Sequence, residues 1–310
     1  MREEDVYELL DRACESEDAS EMAALVDRAL ELDPDNPEAL LFKADLMEDE
    51  EGKLPVLERA LAEAERYLQE EGLSGNDILE DETGQVYLAL LQRLAYLLFF
   101  MERDDEAMER VEEFLRYDSE EQESVKDLYY CILLEREEWS KVLETAMQDS
   151  ERTLGWAYAR VIASFMLLNG KNPDSLCKML WEAVRMSPNV PFYMMGYIPD
   201  PVDESEEESE DFHFAVLFEN VLSLSRDFLN WFSCATILFG LLSNRFGEER
   251  EDMEEILDAL GGKADYEEIS RQLPGGLDDR TIVDALITGG YPHTSAKKDV
   301  KKSGRRRPEK

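Results

Sequence analysis

Residues that commonly carry chemistry are few in this 310-residue sequence, and they lie far apart. The two histidines, His213 and His293, are too few for a histidine zinc site and are not accompanied by the partners of a catalytic triad. No C-x-x-C pair occurs, so we expect free thiols, mostly buried, and not disulfides or metal ligands. The four cysteines are Cys14, Cys131, Cys177 and Cys234. We therefore predict no catalytic residues, no metal and no cofactor, and a protein that is not an enzyme.

Two glycine pairs and one acidic run are the remaining segments whose composition suits phosphate or calcium. The pairs at 275–276 and 289–290 lack the preceding strand and the fingerprint of a phosphate loop, which indicates turns. The carboxylates of residues 200–211 do not have EF-hand spacing, so we predict a solvated linker or a mobile loop. An alternative hypothesis, an enzyme built on the C-terminal helices, would need a deep pocket that joins His213 to acidic side chains.

The charge of the chain is strongly negative, with a formal net value of −40. Residues 291–310 contain eight Lys or Arg and two acids, a net of +6, which leaves −46 for residues 1–290. Such a body repels nucleic acid and anionic membranes and attracts basic partners at low salt. The other interpretation is that the charge serves only solubility or adaptation to a salty cytoplasm.

The basic segment at the end of the chain is predicted to be a disordered tail, residues 291–310, because it has almost no apolar content. It supports an alternative function, a nucleic-acid-associated accessory protein that acts through this tail. No aromatic residue that would stack on a base lies within residues 294–310, which weakens specific recognition of nucleic acid. A tail that serves only solubility, or one that folds back on the acidic body, is equally compatible with the sequence.

The elements that must position these residues are predicted to be helices. The apolar content is 44%, and no run of alternating β-branched residues is present, so we predict an all-α fold. The most apolar stretch, residues 228–242, contains Asn230 and Ser233 and is shorter than the roughly 20 residues that span a bilayer. The acidic start of the chain does not resemble a signal peptide. We expect a cytoplasmic protein without membrane contact.

Helical hairpins recur along the first two thirds of the sequence. Ala29 and Pro34 stand five residues apart at the end of the first hairpin, and Ala183 and Pro188 repeat this spacing at the end of the last. The small residue lets two helices cross closely, and the proline cannot continue the second helix. The predicted hairpins cover residues 6–34, 37–72, 87–119, 123–148 and 153–188, with an insertion at 73–83.

This pattern resembles the tetratricopeptide repeat (TPR), a helical hairpin of about 34 residues with small residues and a terminal proline at fixed positions. Any helical bundle has apolar residues at i, i+3 and i+4, but it lacks the repeated alanine–proline pair. The resemblance implies an α-solenoid of about five hairpins, followed by a smaller helical region. The predicted domains are therefore the array (1–199), the acidic linker (200–211), the C-terminal helical region (212–290) and the basic tail (291–310).

A second motif narrows the resemblance. Residues 183–196 read A-V-R-M-S-P-N-V-P-F-Y-M-M-G, which resembles the box A-L-x-x-N-P-H-V-P-x-Y-L-L-G. That box closes the array in a family of mostly uncharacterised prokaryotic TPR proteins, loosely similar to the eukaryotic suppressor-of-tumorigenicity proteins. Ser187 and Asn189 depart from the Asn and His of the box. The family implies a fold and an interaction role, and it implies no reaction.

The box has a physical interpretation of its own. Pro188 stops a helix, and Pro191 is expected to hold Val190 in extended geometry. The apolar residues that follow should then be buried as a cap on the array; a ligand pocket is the alternative. The residues expected to shape the repeats and this cap are Ala29, Pro34, Ala107, Ala183, Pro188, Pro191, Tyr193 and Gly196.

The predicted function is a protein–protein interaction scaffold that binds a peptide or protein partner, and the charge favours a basic one. In a TPR array, helix A residues next to the core line the concave surface. The expected partner-binding residues are Asp45, Gln92, Tyr96, Phe99, Lys126 and Tyr130. The other interpretation of the three aromatic residues is that they only pack against the insertion. The oligomeric state stays open.

Overall fold

The computed structural model describes residues 5–117, 122–168, 173–201 and 206–293. Within these ranges the chain forms seventeen α-helices and one short 3-10 helix and no β-strand, so the all-α prediction is confirmed. None of the helices in these ranges is long and apolar enough to cross a membrane. The predicted basic tail, from residue 294 onward, lies outside the described residues.

The chain divides into two compact units, Met1–Ile132 and Leu133–Lys310, here called the N-terminal and the C-terminal unit. In the N-terminal unit α1 packs on α2, α3 on α4, and α6 on α7, as three helical hairpins. Its helices are α1 (Val6–Cys14), α2 (Ala19–Leu32), α3 (Pro37–Asp45), α4 (Glu50–Glu71), α5 (Asp77–Glu80), α6 (Glu82–Phe100), α7 (Asp104–Phe114) and most of α8 (Gln122–Glu135).

Capping residues and prolines set the ends of helices in the N-terminal unit. The Asn36 side chain accepts a hydrogen bond from the Ala39 amide at 3.0 Å, and Pro37 occupies the start of α3, where its missing N–H costs nothing. Ala29 and Ala107 are fully buried, as the pattern predicts. Helix α2 ends at Leu32, just before Pro34. The insertion contains the short helix α5, so it is not wholly irregular.

The C-terminal unit is built around α14, an apolar helix that contacts α10, α13, α15, α16 and α17. Aromatic side chains fill its core: the rings of Phe165 and Phe228 lie 5.2 Å apart, and those of Trp181 and Phe239 lie 5.9 Å apart. Its helices are α9 (Trp139–Gln148), α10 (Leu154–Leu168), α11 (Pro173–Met186), α12 (Val190–Met194), α13 (Glu206–Ser223), α14 (Arg226–Leu242), α15 (Arg250–Leu260), α16 (Lys263–Gln272) and α17 (Asp279–Gly289), with the 3-10 helix Gly247–Glu249 before α15.

The division between the units differs from the predicted domain boundary at 199/200. Helix α11 packs on α17, and α10 packs on α14, so the last predicted hairpin shares a core with the C-terminal helices. Burial of a common apolar surface makes these elements one compact unit. The pattern of hairpins along the sequence contains no information about this long-range packing.

The box that follows α11 is helical where an extended residue was predicted. Val190 and Pro191 begin α12, so the prediction for Val190 is wrong. A proline in the first turn removes an N–H that has no partner inside the helix, and it therefore fits there without cost. Gly196 ends the helix with φ +62°, and the Tyr197 amide donates to the Phe192 carbonyl at 2.9 Å, as in a Schellman motif.

The apolar residues of the box are covered by the C-terminal helices. Pro191 and Phe192 are buried, and the Phe192 ring lies 5.8 Å from that of Phe239 and 5.9 Å from that of Phe246. Tyr193 is partly buried, with its ring 5.7 Å from that of Phe212. The box therefore belongs to the interior of the C-terminal unit, where α14 covers it.

The acidic segment 200–211 is only partly a linker. Residues 202–205 lie outside the described residues, but α13 begins at Glu206, so the predicted linker for 206–211 is wrong. Asp211 is buried and lies near the hydroxyl of Tyr158, whose pKa is raised well above its usual value by burial and by the Asp211 carboxylate. Phe214 and Phe218, three and seven residues later, extend the same buried face.

Candidate functional site

The residues predicted to bind a partner do not form one exposed surface. Phe99 and Tyr130 are buried, with 6% and 0% of their surface exposed, so the expectation of exposed aromatics is wrong for both. Asp45 is exposed and forms an ion pair with Arg93 at 3.2 Å. Lys126 is half-buried on α8.

Two of the predicted residues, Gln92 and Tyr96, meet at the contact between α6 and α8. The Gln92 amide Nε2 donates to the Ser124 hydroxyl at 2.8 Å, and the Tyr96 hydroxyl donates to the Ser124 carbonyl at 2.8 Å. Burial raises the pKa of Tyr96, which therefore stays neutral. These two side chains hold α8 against α6. Their polar atoms are used inside the protein, and the partner of both is Ser124 of α8 and not a residue of the insertion.

A different feature of the N-terminal unit has the properties of a binding site. A cleft of about 180 Å³ lies between helices α1, α3, α4 and α6 and the turn that joins α2 to α3. Its walls combine carboxylates, one arginine and two tyrosines. They are formed by Tyr7, Asp33, Asp35, Asn36, Pro37, Glu38, Glu63, Arg66, Tyr67, Glu82, Thr83 and Val86. We call this feature the acidic cleft.

Helical geometry places the side chains of the acidic cleft. Glu63, Arg66 and Tyr67 lie on one face of α4, because residues three and four positions apart are neighbours on a helix. Glu38 and Glu82 lie in the first turns of α3 and α6, where the helix dipole favours a negative charge. The cap at Asn36 fixes the start of α3 and with it the position of Glu38.

The two arginines near the cleft are already paired. Arg66 binds Glu63 at 2.6 Å and Glu70 at 3.1 Å, and Arg59 pairs with Asp35. In the part of the chain that the structure describes, neither Glu38 nor Glu82 forms an ion pair. The acidic cleft therefore retains negative charge that its own arginines do not neutralise.

Burial and the like charges of neighbouring carboxylates both act on the titratable groups of the cleft. Burial raises the pKa of Glu38, and the charges of Asp11 and Glu82 raise it further. Burial and the same glutamates also raise the pKa of Tyr7. A cation bound in the cleft would relieve this repulsion and would lower the pKa of Glu38 again.

The raised pKa of Glu38 gives a prediction for stability. Because the folded state binds this proton more readily than the unfolded state, ionised Glu38 opposes folding at neutral pH. Glu38→Gln is expected to raise the free energy of unfolding by about 0.5 kcal/mol at pH 7, a small value because the carboxylate is half exposed and screened. The gain should disappear below about pH 4, where the unfolded state is protonated too.

Urea denaturation of both proteins at pH 7 and pH 4 measures this difference. Glu255→Gln, a change to an exposed glutamate on α15, is the matched control and should have no effect beyond about 0.2 kcal/mol. A Glu38→Gln protein less stable than the wild type at pH 7 would contradict the repulsion inferred here.

The tyrosines of the cleft were missed by the sequence analysis. Tyr7 is 54% exposed and Tyr67 is 38% exposed. Each lies beside the apolar stripe of its helix: the buried residues of α1 are Leu9, Leu10 and Ala13, and Leu68 follows Tyr67 in α4. A large aromatic residue outside the i, i+3, i+4 stripe was the available signal, because exposed aromatics often mark binding surfaces.

The histidines lie apart from the acidic cleft. His213 is exposed on α13 and lines neither this cleft nor a second one, of about 530 Å³, between α16 and α17. His293 lines the second cleft, and its ring Nδ1 lies 2.7 Å from Oδ1 of Asp265. Among the described residues, no three His, Cys, Asp or Glu side chains are placed to hold a metal ion.

The cysteines are free thiols, three of them buried. Burial raises the pKa of Cys177 and of Cys234 to about 12, so these thiols are not nucleophiles at neutral pH. Cys14 is exposed at the end of α1, and the other three cysteines agree with the prediction that the thiols are mostly buried.

Comparisons with known proteins found no protein similar to this chain. Models of protein families, curated proteins and solved structures were each searched, and none matches this chain. The acidic cleft is thus the strongest basis for a function.

Proposed function

We propose that this chain is a TPR-type scaffold, in the cytoplasm, that binds a basic peptide segment of a protein partner. The observation that carries the proposal is the acidic cleft, where two exposed tyrosines stand beside Glu38 and Glu82, which form no ion pair with any residue that the structure describes. Tyrosine supplies contact area at low entropic cost, and it is enriched at the residues that dominate binding energy. The paired helices of the N-terminal unit and the motifs in the sequence support the TPR assignment.

Charge supports a basic partner over an acidic or neutral one. Within the described ranges, neither Glu38 nor Glu82 forms an ion pair, and the chain outside its last twenty residues carries a net charge of −46. Opposite charges speed the association of two proteins and fix how they are aligned. Charges at the edge of an interface change the association rate more than the affinity. The partner's basic residues would reach the cleft as side chains, because a space of 180 Å³ is smaller than the 300–1,000 Å³ of typical small-molecule sites.

Fluorescence anisotropy with a labelled octalysine peptide tests the proposal on the full chain. We expect binding that weakens as salt rises, since the contact is electrostatic. The double variant Glu38→Gln/Glu82→Gln should bind at least about five-fold more weakly, an expected effect of roughly 1 kcal/mol. An octaglutamate peptide should not bind.

The matched control removes the same charge elsewhere. Glu251 and Glu255 are exposed on α15 of the C-terminal unit, so Glu251→Gln/Glu255→Gln should change the affinity less than two-fold. Equal weakening in both double variants would mean that the peptide responds to total charge and not to the cleft. No binding of octalysine at low salt would also overturn the proposal.

A further inference from the structure

The acidic cleft has features that discriminate between the two basic side chains. Resting on the proposed function, we infer that the cleft recognises arginine in preference to lysine. A planar guanidinium stacks on aromatic rings and binds carboxylates through two parallel hydrogen bonds, whereas an ammonium is a compact and strongly hydrated charge. The cleft offers aromatic rings and carboxylates together. A guanidinium binds both, whereas an ammonium binds mainly the carboxylates.

The first observation is the size of the site. The cleft holds about 180 Å³, which is several times the roughly 30 Å³ of one water molecule and too little for a helix. It therefore fits one long side chain at a time. A planar guanidinium that enters the cleft would contact side chains of α1, α3, α4 and α6.

The second observation is the placement of the aromatic rings. Tyr7 and Tyr67 come from different helices, are both exposed and both line the cleft. A cation over a tyrosine ring gains about 0.5–1 kcal/mol at an exposed site. Because both rings line one cleft, a cation that stacks on them gains this energy, whereas a cation that does not stack gains little of it.

The third observation is that the chain already uses arginine for this chemistry at the edge of the cleft. Arg59 binds the Asp35 carboxylate and also donates to the Pro34 carbonyl at 3.1 Å. Arg66 donates to one oxygen of Glu63, Oε2, from both Nε, at 2.9 Å, and Nη2, at 2.6 Å. Glu38 and Glu82 present carboxylates of the same kind, and neither is paired with an arginine of the described residues.

The test compares labelled octa-arginine with labelled octalysine, two peptides of equal charge, by fluorescence anisotropy on the full chain. We expect octa-arginine to bind at least about five-fold more tightly. In Tyr7→Leu/Tyr67→Leu the preference should fall below two-fold, because leucine keeps apolar cover but offers no ring. The single variant Tyr67→Leu should give an intermediate preference. Circular dichroism confirms that each variant is folded.

Phe100→Leu provides the control, since Phe100 is an exposed aromatic residue of the same unit that does not line the cleft. It should keep the full preference. Equal affinity of the two peptides would overturn the arginine inference and leave the proposed function standing. A preference that survives the loss of both tyrosines would also overturn it, because the preference would then arise elsewhere. Absence of binding by both peptides would instead refute the proposed function itself.

Discussion

Replacing Arg245 by methionine is expected to lower the free energy of unfolding of the C-terminal unit by about 2–4 kcal/mol. The Arg245 guanidinium donates to the side-chain oxygen of Asn189 at 2.7 Å and to the Asp279 carboxylate at 2.6 Å. It also lies 5.0 Å from the centre of the Phe192 ring. One side chain thus joins the box, the end of α14 and the start of α17.

The large effect follows from what the substitution leaves behind. Methionine retains apolar contact with Phe192, but the Asp279 carboxylate and the Asn189 amide lose a charged partner in a half-buried place. The cation–ring contact is lost as well. Part of the cost is offset, because the buried Nε of Arg245 has no hydrogen-bond partner among the residues that the structure describes, and its removal relieves that penalty.

Urea denaturation followed by tryptophan fluorescence measures the change. All four tryptophans of the chain, Trp139, Trp156, Trp181 and Trp231, belong to the C-terminal unit, so the signal reports that unit alone. The control is Arg271→Met, because Arg271 is 75% exposed and pairs with Glu267 at 3.6 Å across one helical turn. It should cost less than about 0.5 kcal/mol. Equal costs for the two variants would show that Arg245 contributes no more than a surface charge.

Replacing Trp181 by phenylalanine should lower the stability of the same unit by about 3 kcal/mol. Trp181 is fully buried, and its indole N–H donates to the Tyr291 carbonyl at 2.6 Å. Phenylalanine leaves a cavity where the larger ring was and removes the donor of a buried carbonyl. The Cys177 thiol, one turn earlier on α11, donates to the next carbonyl, that of Pro292, at 3.4 Å. Helix α11 therefore holds the segment that follows α17.

Trp231→Phe separates the hydrogen bond from the cavity. Trp231 is also buried, but its indole nitrogen has no acceptor among the described residues. Its replacement leaves a similar cavity and removes an unsatisfied donor, so it should cost at least 1 kcal/mol less than Trp181→Phe. Urea curves recorded by circular dichroism compare the two variants on the same signal. A larger loss for Trp231→Phe would contradict the role assigned to the Trp181 hydrogen bond.

Local features of the fold were predictable from the sequence because their causes are local. The pair Ala29 and Pro34 marks the crossing and the end of the first hairpin, and the structure buries Ala29 and ends α2 at Leu32. Gly261, which adopts φ +86°, ends α15, because glycine reaches this backbone conformation without a clash of a side chain. A residue restricts the backbone within a few positions of itself, so such signals need no knowledge of tertiary structure.

The candidate site could not be predicted in the same way. Its tyrosines are sixty positions apart, and the cleft exists only because α1, α3, α4 and α6 meet. Phe99 and Tyr130, which were expected to be exposed, are buried for a related reason: which face of a helix is covered depends on its neighbours. The periodicity of the hairpins does not predict long-range contacts, such as that of Arg245 with Asn189, 56 positions away.

The exposed thiol at Cys14 offers a way to observe the cleft directly. Among the four cysteines only Cys14 is accessible, so a maleimide dye would attach at one place without prior removal of the others. Partial burial, and after it the charge of the Glu38 carboxylate, raise the pKa of this thiol, which calls for labelling at mildly alkaline pH, where more thiolate is present. Because Cys14 senses the charge of Glu38, the emission of such a dye should change when a cation enters beside that carboxylate.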